Sequence, residues 1–244
     1  MLSLAAVLSV VLAVWIAVVQ PFAGRRRYRR LIEHLHRDPS VRLHHYRRGI
    51  ALEWVGAAFV GLLALLAHTR LRSLWPPGDH TEVAGQIPVV VAALVAITAV
   101  YRFGGQAARR ALAVQLRPVA ALLPRTPTER RVFALLAVTA GICEELLYRG
   151  FGLAALRWAA PDTSTPTLIG VTAVAFGVGH LYQGASGVAL TGLVGASFAW
   201  FAISTGSLLP VMLLHALLDL RILALPIDAV PFPTPEPTGS LDGQ

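Results

Sequence analysis

Glu144, Glu145 and Arg149 stand in GICEELLYRGFG (residues 141–152), directly after VFALLAVTAGIC, a stretch that carries no charge. Glu145 and Arg149 are spaced i,i+4 with the acid N-terminal, the favourable order for a helical ion pair, so the guanidinium can neutralise that carboxylate locally. Glu144 lies ~100° round the same helix and is left to act on something else. Farther along, His180 closes FGVGH, whose Gly177 and Gly179 admit a close neighbouring backbone. His215 and Asp219 are i,i+4 in HALLD and project from one face of a helix. A carboxylate, two imidazoles and a second carboxylate are equipment for activating water and stabilising an oxyanion.

The elements that position these groups are hydrophobic. The chain has 244 residues, of which 55% are hydrophobic and 14% charged, with a mean hydropathy of +0.63. That composition is too apolar for a soluble domain of this length and points to an all-α, polytopic helical membrane protein. All 21 basic side chains are arginine, giving a net charge of +8. They cluster between apolar stretches, where bilayer orientation and anionic headgroups account for them, so a nucleic-acid partner is not expected. The lone Cys143 excludes an internal disulfide and a multi-cysteine metal site, and it has no local base that would make it a nucleophile.

Residues 2–23 read as a first membrane span followed by a basic stretch with nine arginines between 25 and 48. The positive-inside rule places that stretch in the cytoplasm and the N-terminus outside. Further spans are read at 49–68, 87–102, 131–158, 165–182, 188–204 and 207–225, about seven transmembrane helices in all, which puts the C-terminus in the cytoplasm. GGQAARRALAVQL, in the second basic loop, reads as an interfacial helix. The organisation expected is residues 1–127 as N-terminal transmembrane helices with basic loops, 128–225 as the catalytic helical core, and 226–244 as a proline-rich disordered tail. At ~1.5 Å rise per residue, Glu144, His180, His215 and Asp219 all fall at roughly 17–23 Å depth, one common layer. Glu53 has no matching partner in this reading and is taken as structural. The histidines at 34, 36, 44 and 45 read as a solvated, headgroup-facing surface. Gly187, Thr191, Gly195 and Ala199, spaced by four, read as a helix-packing ridge.

EELLYR (144–149), FGVGH (176–180) and HALLD (215–219) resemble, in order and spacing, the motifs EExxxR, FxxxH and Hxxx(N/D) of the CPBP intramembrane proteases. That family, also called Abi, groups type II CAAX prenyl endopeptidases with bacteriocin-processing and self-immunity proteins. The resemblance covers about residues 128–225. It implies Glu144 as the general base on water, His180 as a holder of that water, and His215 and Asp219 as groups polarising the carbonyl or stabilising the oxyanion, with Glu145 and Arg149 ordering the site. Asp219 departs from the asparagine common in the family, and an ionised aspartate cannot donate to an oxyanion, so it is either protonated or orients His215. The family is commonly labelled metalloprotease, and Glu144, His180 and His215 would be the ligands if zinc were used. The favoured reading is a glutamate mechanism with no cofactor.

The function expected is therefore an intramembrane endopeptidase acting on a membrane protein or peptide in the lipid bilayer. The alternative is a non-catalytic adaptor or bacteriocin self-immunity protein of the same fold. A proton-relaying transporter is disfavoured because no inverted repeat is visible in the sequence. Arginine to the exclusion of lysine, with abundant alanine, suggests a GC-rich bacterial genome and a bacterial inner membrane, where a prenylated CAAX protein is not the expected natural substrate.

Overall fold

The computed structural model describes residues 3–68, 74–76, 85 and 87–232. Among these residues the fold is all-α. Helix α1, Leu4–Leu35, is capped by the Ser3 hydroxyl and widens into one π-helical turn at Trp15–Val19. Helix α2, Ser40–Leu66, follows a tight connection in which the Ser40 N–H donates to Asp38 Oδ1 at 2.9 Å. Helices α3, Ile87–Phe103, and α4, Gly105–Leu116, meet at a 114° bend. Gly105 takes φ +74 there, and a Cβ on Gly104 would collide with the Val100 carbonyl, so the Gly104–Gly105 pair makes this corner possible.

Helix α5 runs from Pro127–Glu145 through a π-helical segment, Leu146–Gly152, to Leu153–Ala159. Its start is a reciprocal cap: the Glu129 N–H donates to the Thr126 hydroxyl while the Glu129 carboxylate accepts from the Thr126 N–H, with Pro127 in the first turn. Helix α6, Thr165–Gly179, α7, Gly184–Thr205, and α8, Leu209–Leu220, complete the chain.

The expected number of crossings is corrected here. Among the described residues, three helices are long and apolar enough to cross a membrane: Leu4–Leu35, Ser40–Leu66 and Leu181–Thr205, with a fourth only if the bent α3–α4 pair counts as one span. About seven were expected. Counting uncharged residues merged helix with turn: α6 and α8 have 15 and 12 residues, rising ~22 and ~18 Å against a hydrocarbon core of ~30 Å. Helix α5 is long, but Glu144, Glu145 and Arg149 interrupt its apolar run.

The long helices still expose large apolar side chains, such as Val55 at 65%, Leu65 at 72% and Leu193 at 66%. Surfaces of that kind are stable in lipid rather than in water. The chain is a multi-pass helical membrane protein.

At one end of the bundle, polar side chains tie distant segments together. Buried Arg42 pairs with Glu129 at 2.9 Å, and its Nε donates to the Ala121 carbonyl at 2.9 Å. Tyr46 donates to the Leu122 carbonyl at 2.6 Å. Arg125 donates to the carbonyls of Ile227 and Val230 at 2.7 and 2.8 Å, and Arg130 donates to that of Leu223. Of the expected proline-rich tail, Ile227 and Val230 are buried against Leu112 and Leu116, while 233–244 lie outside the described residues.

Candidate functional site

Three close helix approaches build the site. Helix α5 crosses α8 at Gly141, where a Cβ would sit 2.7 Å from the Ala216 amide nitrogen and 2.9 Å from the Met212 carbonyl. Only a glycine leaves room for that backbone contact, and it sets Glu145, one turn on, beside His215. Helices α6 and α7 meet at Gly177, whose Cβ would lie 2.7 Å from the Val188 carbonyl and 3.1 Å from Gly192 Cα. Gly195 on α7 leaves space for the Phe176 ring, and its carbonyl accepts from Arg149 at 3.0 Å. The π-helical segment begins directly after the glutamate pair; such widenings re-aim side chains and are frequent at functional sites.

Glu145 is fully buried and its Oε1 receives two donors, Arg149 at 2.9 Å and His215 Nδ1 at 2.7 Å. The sequence spacing identified the first donor; the second comes from a helix 70 residues away. His215 Nε2 lies 3.8 Å from Asp219 Oδ2, beyond hydrogen-bond distance but within reach of an electrostatic pairing, and the Asp219 side chain is 40% exposed. His180 Nδ1 is 2.8 Å from the Phe176 carbonyl, which can only accept, so the ring proton sits on Nδ1 and Nε2 is left as an acceptor. Glu144 Oε2 is buried and has no hydrogen-bond partner among the described residues; Glu145 Oε2 shares that condition.

Phe176 is the hub that the motif spacing left without a role. Its ring centroid lies 4.7 Å from that of His180 and 5.9 Å from that of His215, and the Arg149 guanidinium carbon sits 4.3 Å from it. Phe198 flanks His215 at 5.5 Å. Asp219 lies within electrostatic range of His215, Glu144 and His180, so all four expected catalytic residues are gathered in one region, with Glu145 and Arg149 behind them.

The N-terminal helices also enter this region. Tyr148 donates to Gln20 Oε1 of α1 at 3.1 Å, and the ring of Tyr182, near His180, lies 5.3 Å from that of Tyr28 of α1 at a 52° tilt. Glu53 of α2, read from the sequence as structural, lies within electrostatic range of Glu144 and His215. The one sequence signal for Glu53 was its rarity as a charge inside an apolar span. The histidines at 34, 36 and 44 are exposed and His45 is half-buried.

Among the described residues no three His, Cys, Asp or Glu side chains are grouped so as to hold a metal ion. Nδ1 of both histidines is engaged, His215 on Glu145 and His180 on a backbone carbonyl, which leaves each Nε2 free in the way a metal-ligating histidine would be. The trio Glu144, His180 and His215 is nevertheless not drawn together into a cluster that could hold zinc, and no step below is routed through one.

The fold and site define a class: multi-pass helical membrane proteins in which short, glycine-packed helices gather carboxylates and imidazoles in a largely buried cluster. Residues 127–221 match the family of type II CAAX prenyl endopeptidase, Rce1-like, proteins, which bears out over that segment the resemblance carried by the three motifs. Residues 1–126 lie outside the match. No curated protein and no solved structure matches the chain.

Proposed function

We propose that this chain is an intramembrane endopeptidase that hydrolyses peptide bonds of a membrane-associated protein or peptide, with residues 128–225 as its catalytic core. The observation that carries this reading is the division within the glutamate pair: Glu145 Oε1 is occupied by Arg149 and His215, while Glu144 Oε2 is buried with no partner. A carboxylate near two imidazoles and without a donor of its own is placed to take a proton. Glu144 accepts a proton from water as the water oxygen attacks the scissile carbonyl carbon. His180, with Nε2 as acceptor, orients that water. His215, fixed by Glu145 on one side and near Asp219 on the other, donates from Nε2 to the oxyanion in its protonated form. As the C–N bond breaks, Glu144 returns its proton to the leaving amine.

The arginine-rich end is assigned to the cytoplasmic side of a bacterial inner membrane, with the N-terminus outside and the C-terminus inside. Support comes from Arg42 meeting Glu129, and from Arg125 and Arg130 binding carbonyls at 223–230, which keep these segments on one side. Labelling of single cysteines placed at Ser3 and at Asp228, in sealed vesicles of known orientation, tests this assignment.

The activity test is cleavage of a panel of membrane-tethered peptides by the purified protein in detergent, with and without a chelator. Wild type is compared with Glu144→Ala and Glu144→Gln at matched folded yield. Cleavage lost in both variants supports the reading. No wild-type cleavage across the panel, with a cellular phenotype that survives Glu144→Gln, replaces it with the adaptor.

A further inference from the structure

The turn that joins α6 to α7 carries a tyrosine outside the three motifs. The chain leaves α6 at His180 and makes one 3-10 turn, Leu181–Gln183, closed by the Gln183 N–H donating to the His180 carbonyl at 2.9 Å. Gly184, at φ +76, then reverses it into α7. Tyr182 is thereby fixed beside His180, with the two ring centroids 5.9 Å apart. It also packs on the apolar cluster of Tyr28, Leu31, Leu35 and Ala121, in which the Tyr28 hydroxyl donates to the Pro118 carbonyl at 2.8 Å. Residues of α1 and of the segment before α5 therefore hold the Tyr182 ring in place against the histidine.

The Tyr182 hydroxyl is engaged on its acceptor side only. Gln183 Nε2 donates to it at 3.2 Å. Gly187 leaves room for that side chain, since a Cβ there would sit 3.0 Å from Gln183 Oε1. The amide oxygen thus rests over the first turn of α7, where N–H groups lack intrahelical partners, and that assignment turns the amide nitrogen to Tyr182. A phenol that accepts one hydrogen bond keeps a proton to give. Among the described residues that proton has no acceptor, although Glu144 and Asp219 both lie within electrostatic range of Tyr182.

Hydrolysis through a tetrahedral oxyanion calls for hydrogen-bond donors at that oxygen. Protonated His215 is one. Asp219, ionised beside it, has no proton to give, so position 219 does not supply the second. We propose that Tyr182 is a catalytic residue whose hydroxyl donates the second hydrogen bond to the oxyanion. This rests on the protease reading, and it makes the turn after the second motif part of the machinery. The phenol gives up no proton, so the transfer from water to Glu144 and on to the leaving amine is unchanged.

Tyr182→Phe keeps the ring and its packing and removes only the oxygen. The full chain in detergent, at matched folded yield, is assayed on the membrane-tethered peptides. Its affinity is then measured for a cleaved peptide whose scissile amide is replaced by a phosphinate, a stable mimic of the tetrahedral state. Tyr182→Phe is expected to lower kcat by about 100- to 1,000-fold with KM within about threefold of wild type, and to weaken phosphinate binding by about tenfold or more. Adding Asp219→Asn places an amide donor at 219 and is expected to recover kcat by about tenfold or more, which a lost packing contact would not allow.

Unchanged kcat in Tyr182→Phe overturns the assignment and leaves the protease reading intact. A fall in kcat with unchanged phosphinate affinity also overturns it, because the hydroxyl then acts elsewhere than on the oxyanion. No recovery in the double variant overturns it as well. A wild type that cleaves nothing and binds the phosphinate no more tightly than the parent amide removes the protease reading and the role of Tyr182 together.

Discussion

His215 Nδ1 lies 2.7 Å from Glu145 Oε1, the same oxygen that Arg149 holds at 2.9 Å. One buried carboxylate thus joins the first and third motifs, and Arg149 extends the link to α7 through the Gly195 carbonyl. The second motif enters through Phe176, whose ring lies between Arg149 and the two histidines. The cluster works as a unit, so its members have separable effects on stability and on chemistry.

Arg149 is a stability residue first. Replacing it by Met leaves buried Glu145 with His215 as its remaining donor and is expected to cost about 3–5 kcal/mol. Lysine does not restore the loss, because Arg149 uses two nitrogens of one planar group to reach Glu145 and Gly195 at once. Unfolding in a denaturant series, in detergent, measures both variants.

Glu144→Gln separates the two properties. Because Glu144 Oε2 has no partner to lose, stability stays within about 1 kcal/mol of wild type. Cleavage falls by about 100- to 10,000-fold if Glu144 is the base. Parallel unfolding and single-turnover cleavage assays check the split; a variant that unfolds early and cleaves normally contradicts it.

Gly141→Ala tests the crossing that sets the site. The added methyl meets backbone atoms of α8 at 2.7–2.9 Å, which cannot rotate away, so α5 and α8 must separate. The expected cost is about 1–3 kcal/mol, with loss of the Glu145–His215 contact. Gly61→Ala is the control, because its Cβ would meet nothing within 4 Å. The His215 ring proton resonance reports the contact in both variants.

In the arginine-rich cluster, Arg42→Ala removes the partner of buried Glu129 and is expected to cost about 3–5 kcal/mol. Glu129→Gln keeps an acceptor for the Thr126 and Arg125 amides and so retains part of the cap. A double-mutant cycle on Arg42 and Glu129 gives a coupling energy of about 0.5–3 kcal/mol; additive losses would show that the two side chains stabilise separately.

Much of the fold class was legible because membrane helices announce themselves by composition. The number of crossings was not, since hydropathy counts apolar residues whether they lie in a helix or in a turn; α6 ends at Gly179, and the chain reverses through Leu181–Gln183 and Gly184 at φ +76. The order of the motifs was equally visible, and it marked a segment that the family match covers.

By itself the sequence determined what is local. It set the i,i+4 pairing of Glu145 with Arg149, the i,i+4 placement of His215 and Asp219, and the glycines that make close crossings possible, because helix geometry converts spacing directly into position. Only the tertiary structure decided that His215 shares the oxygen of Glu145, that Arg42 is buried on Glu129, and that Glu53 comes within electrostatic range of Glu144. Those partners are separated by tens of residues along the chain. Their meeting depends on which helix faces pack together, a choice made by the glycine contacts at 49, 56, 141 and 177 acting jointly, which no single stretch of sequence contains.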